Sequence, residues 1–109
     1  MAKALILGGA NVNAQERHGF AALHKAAIEG YTSFADFLLE HGARIDLQDN
    51  EGNTALHYAV ANDHKKIIEF LIRNNAQIMR NKLGQTALEW AEAAGNVAMV
   101  QKALSARKK

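Results

Sequence analysis

His24 and His57 are the side chains in this 109-residue chain best suited to chemistry. An imidazole can ligate a metal or act as a general base near neutral pH. A zinc site, however, needs at least three protein ligands, and the chain has no cysteine to supply one. His57 and His64 are seven residues apart and fall on two different expected helices, which is not a ligand spacing. Asp46, Asp49 and Glu51 could suggest calcium, but they lack the 12-residue loop and its closing bidentate glutamate. They read as solvated loop charges. No phosphate-binding loop, nucleophile elbow, kinase signature or dinucleotide fingerprint occurs. The sequence therefore points to no catalytic residue, no metal and no cofactor.

What places the two histidines is a repeat. Gly19-Phe20-Ala21-Ala22-Leu23-His24, Gly52-Asn53-Thr54-Ala55-Leu56-His57 and Gly84-Gln85-Thr86-Ala87-Leu88-Glu89 begin 33 and then 32 residues apart. A fixed period outranks local signals because it sets the whole architecture. The second half of each unit recurs too. Apolar residues at 34, 35, 38 and 39, and at 67, 68, 71 and 72, fall on one helical face. A shorter first helix starts near Ala22, Ala55 and Ala87, with Thr54 and Thr86 placed to cap it. Ala21 stands there in the first copy, so that cap is expected to be weaker. Gly30, Asp63 and Gly95 mark the turn between helices. Gly9, Gly42 and Asn75 mark left-handed ends of the second helix. About ten polar residues follow each end, with Val12, Ile45 and Ile78 among them, and read as a short extended hairpin.

This order of helix, turn, helix and β-turn at a period of 33 resembles the ankyrin repeat. The residues that carry the resemblance are Gly-x-Thr-Ala-Leu-His, the Gly or Asp before position 64, the paired Leu38-Leu39 and Gly42-Ala43. The chain departs from that pattern by Ala in place of Pro in the family's Thr-Pro-Leu-His and by Glu89 in place of the third histidine. The resemblance implies an all-α solenoid of helix-turn-helix units with short β-hairpin loops: three full repeats (16–48, 49–80, 81–109) after a partial repeat (1–15). It also implies structural histidines, whose ring nitrogens tie the cap to a neighbouring repeat's backbone. Asn13, in a hairpin of the kind whose Asn can be hydroxylated, reads as structural.

The ends invite two expectations. Met1, Ala2, Leu5 and Ile6 match the core face of a second helix without its first helix, so the amino-terminal edge should be partly apolar and the chain a piece of a longer array. Glu92 replaces the apolar Ala27 and Val60, which reads as a closing repeat. The basic excess lies late: seven basic and nine acidic residues precede Arg80, and six basic and two acidic run from it. Ala106-Arg107-Lys108-Lys109 reads as a solvated helix end, so neither nucleic acid nor membrane is an expected partner. No apolar run is long enough to span a bilayer, and the expected location is the cytoplasm, with the nucleus open.

A repeat stack offers an extended surface. The implied function is a non-catalytic protein–protein interaction module that binds a protein or peptide on the concave face of hairpin tips and first helices. The alternative is a regulatory or recruiting fragment of a larger protein whose catalytic or channel domain is absent. The tip row comprises Arg17, His18 and Phe20; Asn50, Glu51 and Asn53; Lys82, Leu83 and Gln85. The helix row comprises Ile28, Glu29, Ala61, Asn62, Ala93 and Ala94. Phe20, Ile28 and Leu83 are the candidate apolar anchors. Tyr58 and Trp90, at the position of Lys25, read as lateral packing between first helices, with partner contact by Trp90 as the second reading. A monomer is the expected state, with self-association through the uncapped amino-terminal edge as the route to anything larger.

Overall fold

The computed structural model describes residues 12–106. The expected helix at Met1–Ile6, its cap at Gly9 and the basic tail from Arg107 lie outside the described residues. Six helices follow in chain order: α1 Ala22–Glu29, α2 Thr32–Glu40, α3 Ala55–Ala61, α4 Lys65–Arg73, α5 Ala87–Ala94 and α6 Val97–Ala106. They pack in pairs, α1 with α2, α3 with α4 and α5 with α6. First helices touch first helices (α1 with α3, α3 with α5) and second helices touch second helices (α2 with α4, α4 with α6). The result is a two-layer stack in which each unit buries its apolar faces against its neighbours.

The core follows the repeat. Leu23 and Leu56 are buried with Ala26, Ala59 and Ala91 at the first-helix seams, where small side chains allow close approach. Ala35 and Leu38, then Ile67, Ile68, Leu71 and Ile72, then Val100 and Ala103, carry the core through the second layer. Asp63 (φ 55°) and Asn75 (φ 71°) take the left-handed conformation where the other copies use glycine, as Asn and Asp tolerate best among residues with a Cβ.

The expected hairpins exist as tight turns, and no strand forms among the described residues. Glu16 N–H donates to Phe20 O at 2.9 Å and Gly19 N–H to Glu16 O at 2.8 Å. The same two bonds recur at Asp49, Gly52 and Asn53 and at Asn81, Gly84 and Gln85. So few bonds close each turn without extending into a ladder, which is why the loops are turns rather than sheet.

Helix starts differ as the side chains dictate. Thr54 Oγ1 accepts from His57 N–H at 3.4 Å and Thr86 Oγ1 from Glu89 N–H at 3.1 Å. Ala21 has no side-chain oxygen to offer. Ala21→Thr should therefore stabilise the fold by about 0.5–1 kcal/mol, since Thr54 fits the same buried position one repeat on. Thermal denaturation checks this, and an unchanged or lower melting temperature would refute it.

Candidate partner-binding surface

The hairpin tips are tied into one row. Asn50 N–H donates to His18 O at 3.1 Å, and Lys82 N–H to Glu51 O at 2.9 Å. Asn50 Nδ2 adds a bond to Arg17 O at 2.9 Å. The fold thus brings Arg17, His18, Asn50, Glu51, Lys82, Leu83 and Gln85 together as an exposed strip. Leu83, at 79 % exposure, is the most exposed large apolar side chain on it. Glu29, Ala61, Asn62, Ala93 and Ala94 are exposed along the first helices.

Three of the expected tip and helix contacts sit differently. Asn53 is buried: its Oδ1 accepts from Asn81 Nδ2 at 2.8 Å and its Nδ2 reaches Tyr58 Oη at 3.3 Å. The amide serves the junction between repeats, because a buried amide must find partners. Phe20 is half-buried, since its ring lies 5.6 Å from Tyr58 and 6.0 Å from His24. Ile28 is also half-buried, and its carbonyl is 2.9 Å from His64 Nε2. Of the three expected anchors only Leu83 stands free in solvent.

Asp49 corrects another expectation. It is 6 % exposed, not solvated. Its Oδ1 accepts from Glu51 and Asn53 N–H at 2.9 Å each, and its Oδ2 accepts from the Tyr58 hydroxyl. Burial, with the Asp49 carboxylate at the hydroxyl, pushes the Tyr58 phenol up to about 12, so it stays a donor at any physiological pH. Asn81 repeats the turn with bonds from Leu83 and Gln85 N–H.

A second polar row was not anticipated. Gln15 Nε2 donates to Gly19 O at 2.8 Å and to Gln48 O at 2.9 Å. Gln48 Nε2 repeats this with Gly52 O and Arg80 O, and Arg80 Nη1 reaches Gly84 O at 2.7 Å. The signal was present as polar residues at the same repeat position, 15, 48 and 80. A third row joins the hairpin bases: Asn13 Oδ1 accepts from Arg44 N–H at 2.7 Å, and Asp46 Oδ1 from Gln77 N–H at 2.8 Å. The structural reading of Asn13 accords with this geometry.

The histidines do structural work of the kind expected. His57 Nδ1 accepts from Thr54 N–H at 3.0 Å, which leaves the proton on Nε2 to donate to Gln85 O at 3.0 Å. His24 Nδ1 accepts from Ala21 N–H at 2.9 Å, and its Nε2 faces Leu47 O and Asn53 O. Trp90 stands edge-on to His57 at 5.0 Å, and its Nε1 donates to Gln85 Oε1 at 3.0 Å. Tyr58 and Trp90 are thereby lateral packing groups.

Desolvation holds both imidazoles below the usual histidine value of 6.5, against the opposing pull of the carbonyls and of Asp49. The unfolded chain then binds more protons than the fold as pH drops below 6.5. Stability is fully present above that value and is lost as pH falls through the lower folded-state values. Denaturation at pH 7.5 and pH 5.5 should show a lower midpoint at pH 5.5. A His24→Gln, His57→Gln variant should lose most of that difference, and an equal difference in the variant would refute the assignment.

Among the described residues no group of three His, Cys, Asp or Glu side chains is placed to hold a metal ion. No described helix is long and apolar enough to cross a membrane. Comparison with curated proteins gives no match. A family model described as ankyrin repeats, three copies long, matches residues 1–82 and again 48–108. The periodic caps, the paired layers and the histidine ties all agree with that match, and the chain belongs to the ankyrin-repeat family, whose members are generally protein–protein interaction modules.

Proposed function

We propose that the chain is a non-catalytic recognition module of one domain, with a partial repeat 1–15 and repeats 16–48, 49–80 and 81–109, that binds a protein or peptide across its hairpin tips and first helices. The observation that carries this reading is the tip strip itself, held in register by hydrogen bonds between repeats and presenting Leu83 at 79 % exposure. A surface fixed before binding loses little ordering entropy on association. A protruding apolar side chain beside polar neighbours makes an anchor with a polar rim. Arg17, His18, Asn50, Glu51, Lys82 and Gln85 supply that rim, and Glu29 and Asn62 extend it along the helices. Phe20 and Ile28 offer only their exposed edges, and Asn53 supports the strip from beneath.

Affinity capture with the full chain, followed by measurement of the recovered partner's affinity, tests this. Leu83→Ala should weaken binding by about tenfold, on the order of 1–2 kcal/mol for an anchor residue, with stability unchanged. Unchanged affinity would remove the tip row as the binding face.

A further inference from the structure

We propose that a one-directional hydrogen-bond relay running from Asp49 to Asn81 sets the position of Leu83, so that Tyr58, Asn53 and Asn81 are positioning residues of the tip surface. The inference rests on the recognition role given above to Leu83 and deepens it. The chemistry of the four side chains dictates the direction of every bond. The Asp49 carboxylate offers only acceptors, so its Oδ2 takes the Tyr58 hydroxyl proton. That hydroxyl has one proton, so toward Asn53 it can only accept, and Asn53 presents Nδ2 to it at 3.3 Å. This turns Asn53 Oδ1 toward the next unit as an acceptor. Asn81 meets it with Nδ2 at 2.8 Å. The atom left over, Asn81 Oδ1, faces Leu83 N–H at 2.9 Å and Gln85 N–H at 3.0 Å. The carboxylate of one unit thereby fixes both amide orientations, and with them the turn that carries the anchor of the next.

The repeat shows that this relay belongs to one seam. At the preceding unit the places of Asp49, Asn53 and Tyr58 are held by Glu16, Phe20 and Lys25. Phe20 has no polar side-chain atom and Lys25 has no acceptor, so neither can pass a bond on. Asp49 and Asn81 occupy matching positions and close their turns with the same pair of bonds, from the N–H groups two and four residues on. An aspartate at 81 would close that turn equally well. What it could not do is donate to Asn53. The amide at 81 therefore answers to the seam and not to its own turn. Asp49, Asn53 and Asn81 are 6 %, 7 % and 8 % exposed, so water does not readily replace a lost partner. In such a buried network the loss of one bond weakens the next.

Amide hydrogen exchange of the partner-free full chain, followed by NMR, tests the relay alongside urea titration. Asn53→Asp sets two carboxylates on one phenol proton. It should speed exchange at Leu83 and Gln85 N–H about tenfold. Asn96 N–H, which donates to Ala91 O at 3.0 Å in the same unit, should keep its rate. Adding Asp49→Asn reverses the relay at the parent's net charge. The new amide at 49 donates to the hydroxyl, the hydroxyl donates to the new carboxylate at 53, and that carboxylate still accepts from Asn81. The double variant should recover the urea midpoint and bring both exchange rates back to within about threefold of the parent. Tyr58→Phe keeps the ring and removes the hydroxyl, and should speed the same two amides about threefold. This variant decides the matter if Asn53→Asp does not fold. The proposal is overturned if both single changes leave Leu83 and Gln85 at parental rates, if those amides change only in step with Asn96, or if the double variant is no better than Asn53→Asp. Every readout is taken without a partner, so failure of the relay and an unchanged affinity in Leu83→Ala are separate results.

Discussion

Gly52→Ala should destabilise the protein by about 3 kcal/mol, while Gly84→Ala, at the equivalent turn one repeat on, should cost only about 1–2 kcal/mol. Both glycines have positive φ, 81° and 78°, so both substitutions force an L-residue into the left-handed region. The difference is the neighbour. A Cβ on Gly52 would lie 2.7 Å from Lys82 N and 3.0 Å from Asn81 Cα, whereas nothing lies within 4 Å of a Cβ on Gly84. Backbone cannot swing aside as a side chain can. Relieving the clash would stretch the Lys82 to Glu51 bond and shift Asn81, which holds Asn53. Urea titration of the two variants reads the difference directly, and equal midpoints would show that the two turns are not in the contact described.

His57→Ala should cost about 3–4 kcal/mol, from the cavity and from two backbone groups left without partners. The ring is fully buried, bridges Thr54 N–H to Gln85 O and supports the edge of Trp90. For a chain of this size that loss lowers the melting temperature by more than about 10 °C. Glu89→Ala, at the matching position of the third copy, should cost only about 1 kcal/mol, because Glu89 is exposed and contributes a cap bond from Thr86 N–H. Similar losses for the two would mean that the imidazole does not tie one repeat to the next.

The elements were legible because they rest on local rules repeated three times. Thr54 and Thr86 cap where a hydroxyl can reach a free N–H, and Ala21 leaves the cap open. Asp63 and Asn75 stand in for glycine where φ must be positive. The roles of His24 and His57 were legible from their shared position in two of the three units together with the family resemblance, since one residue type at one place in successive units points to a duty within the unit. Exposure was harder to read. Asp49, Asn53 and Gln48 are polar residues in a loop, and composition places them in solvent. Asn53 and Gln48 instead reach the neighbouring turn, where the stacking distance between copies turns a loop side chain into a bridge, and Asp49 is enclosed within its own unit by the Glu51 and Asn53 N–H groups and the Tyr58 hydroxyl. Phe20 failed as a free anchor for the same reason, because Tyr58 of the next repeat covers part of its ring.

The order of residues determined on its own that this chain is a stack. The period of 32 to 33, the paired apolar faces and the capping residues each require only neighbours in sequence. What the tertiary structure decided is which polar and aromatic groups the stack consumes and which it leaves in water. That depends on the spacing between units some thirty residues apart, and only packing sets that spacing. It seals Asn53 and Asp49 inside and leaves Leu83 outside.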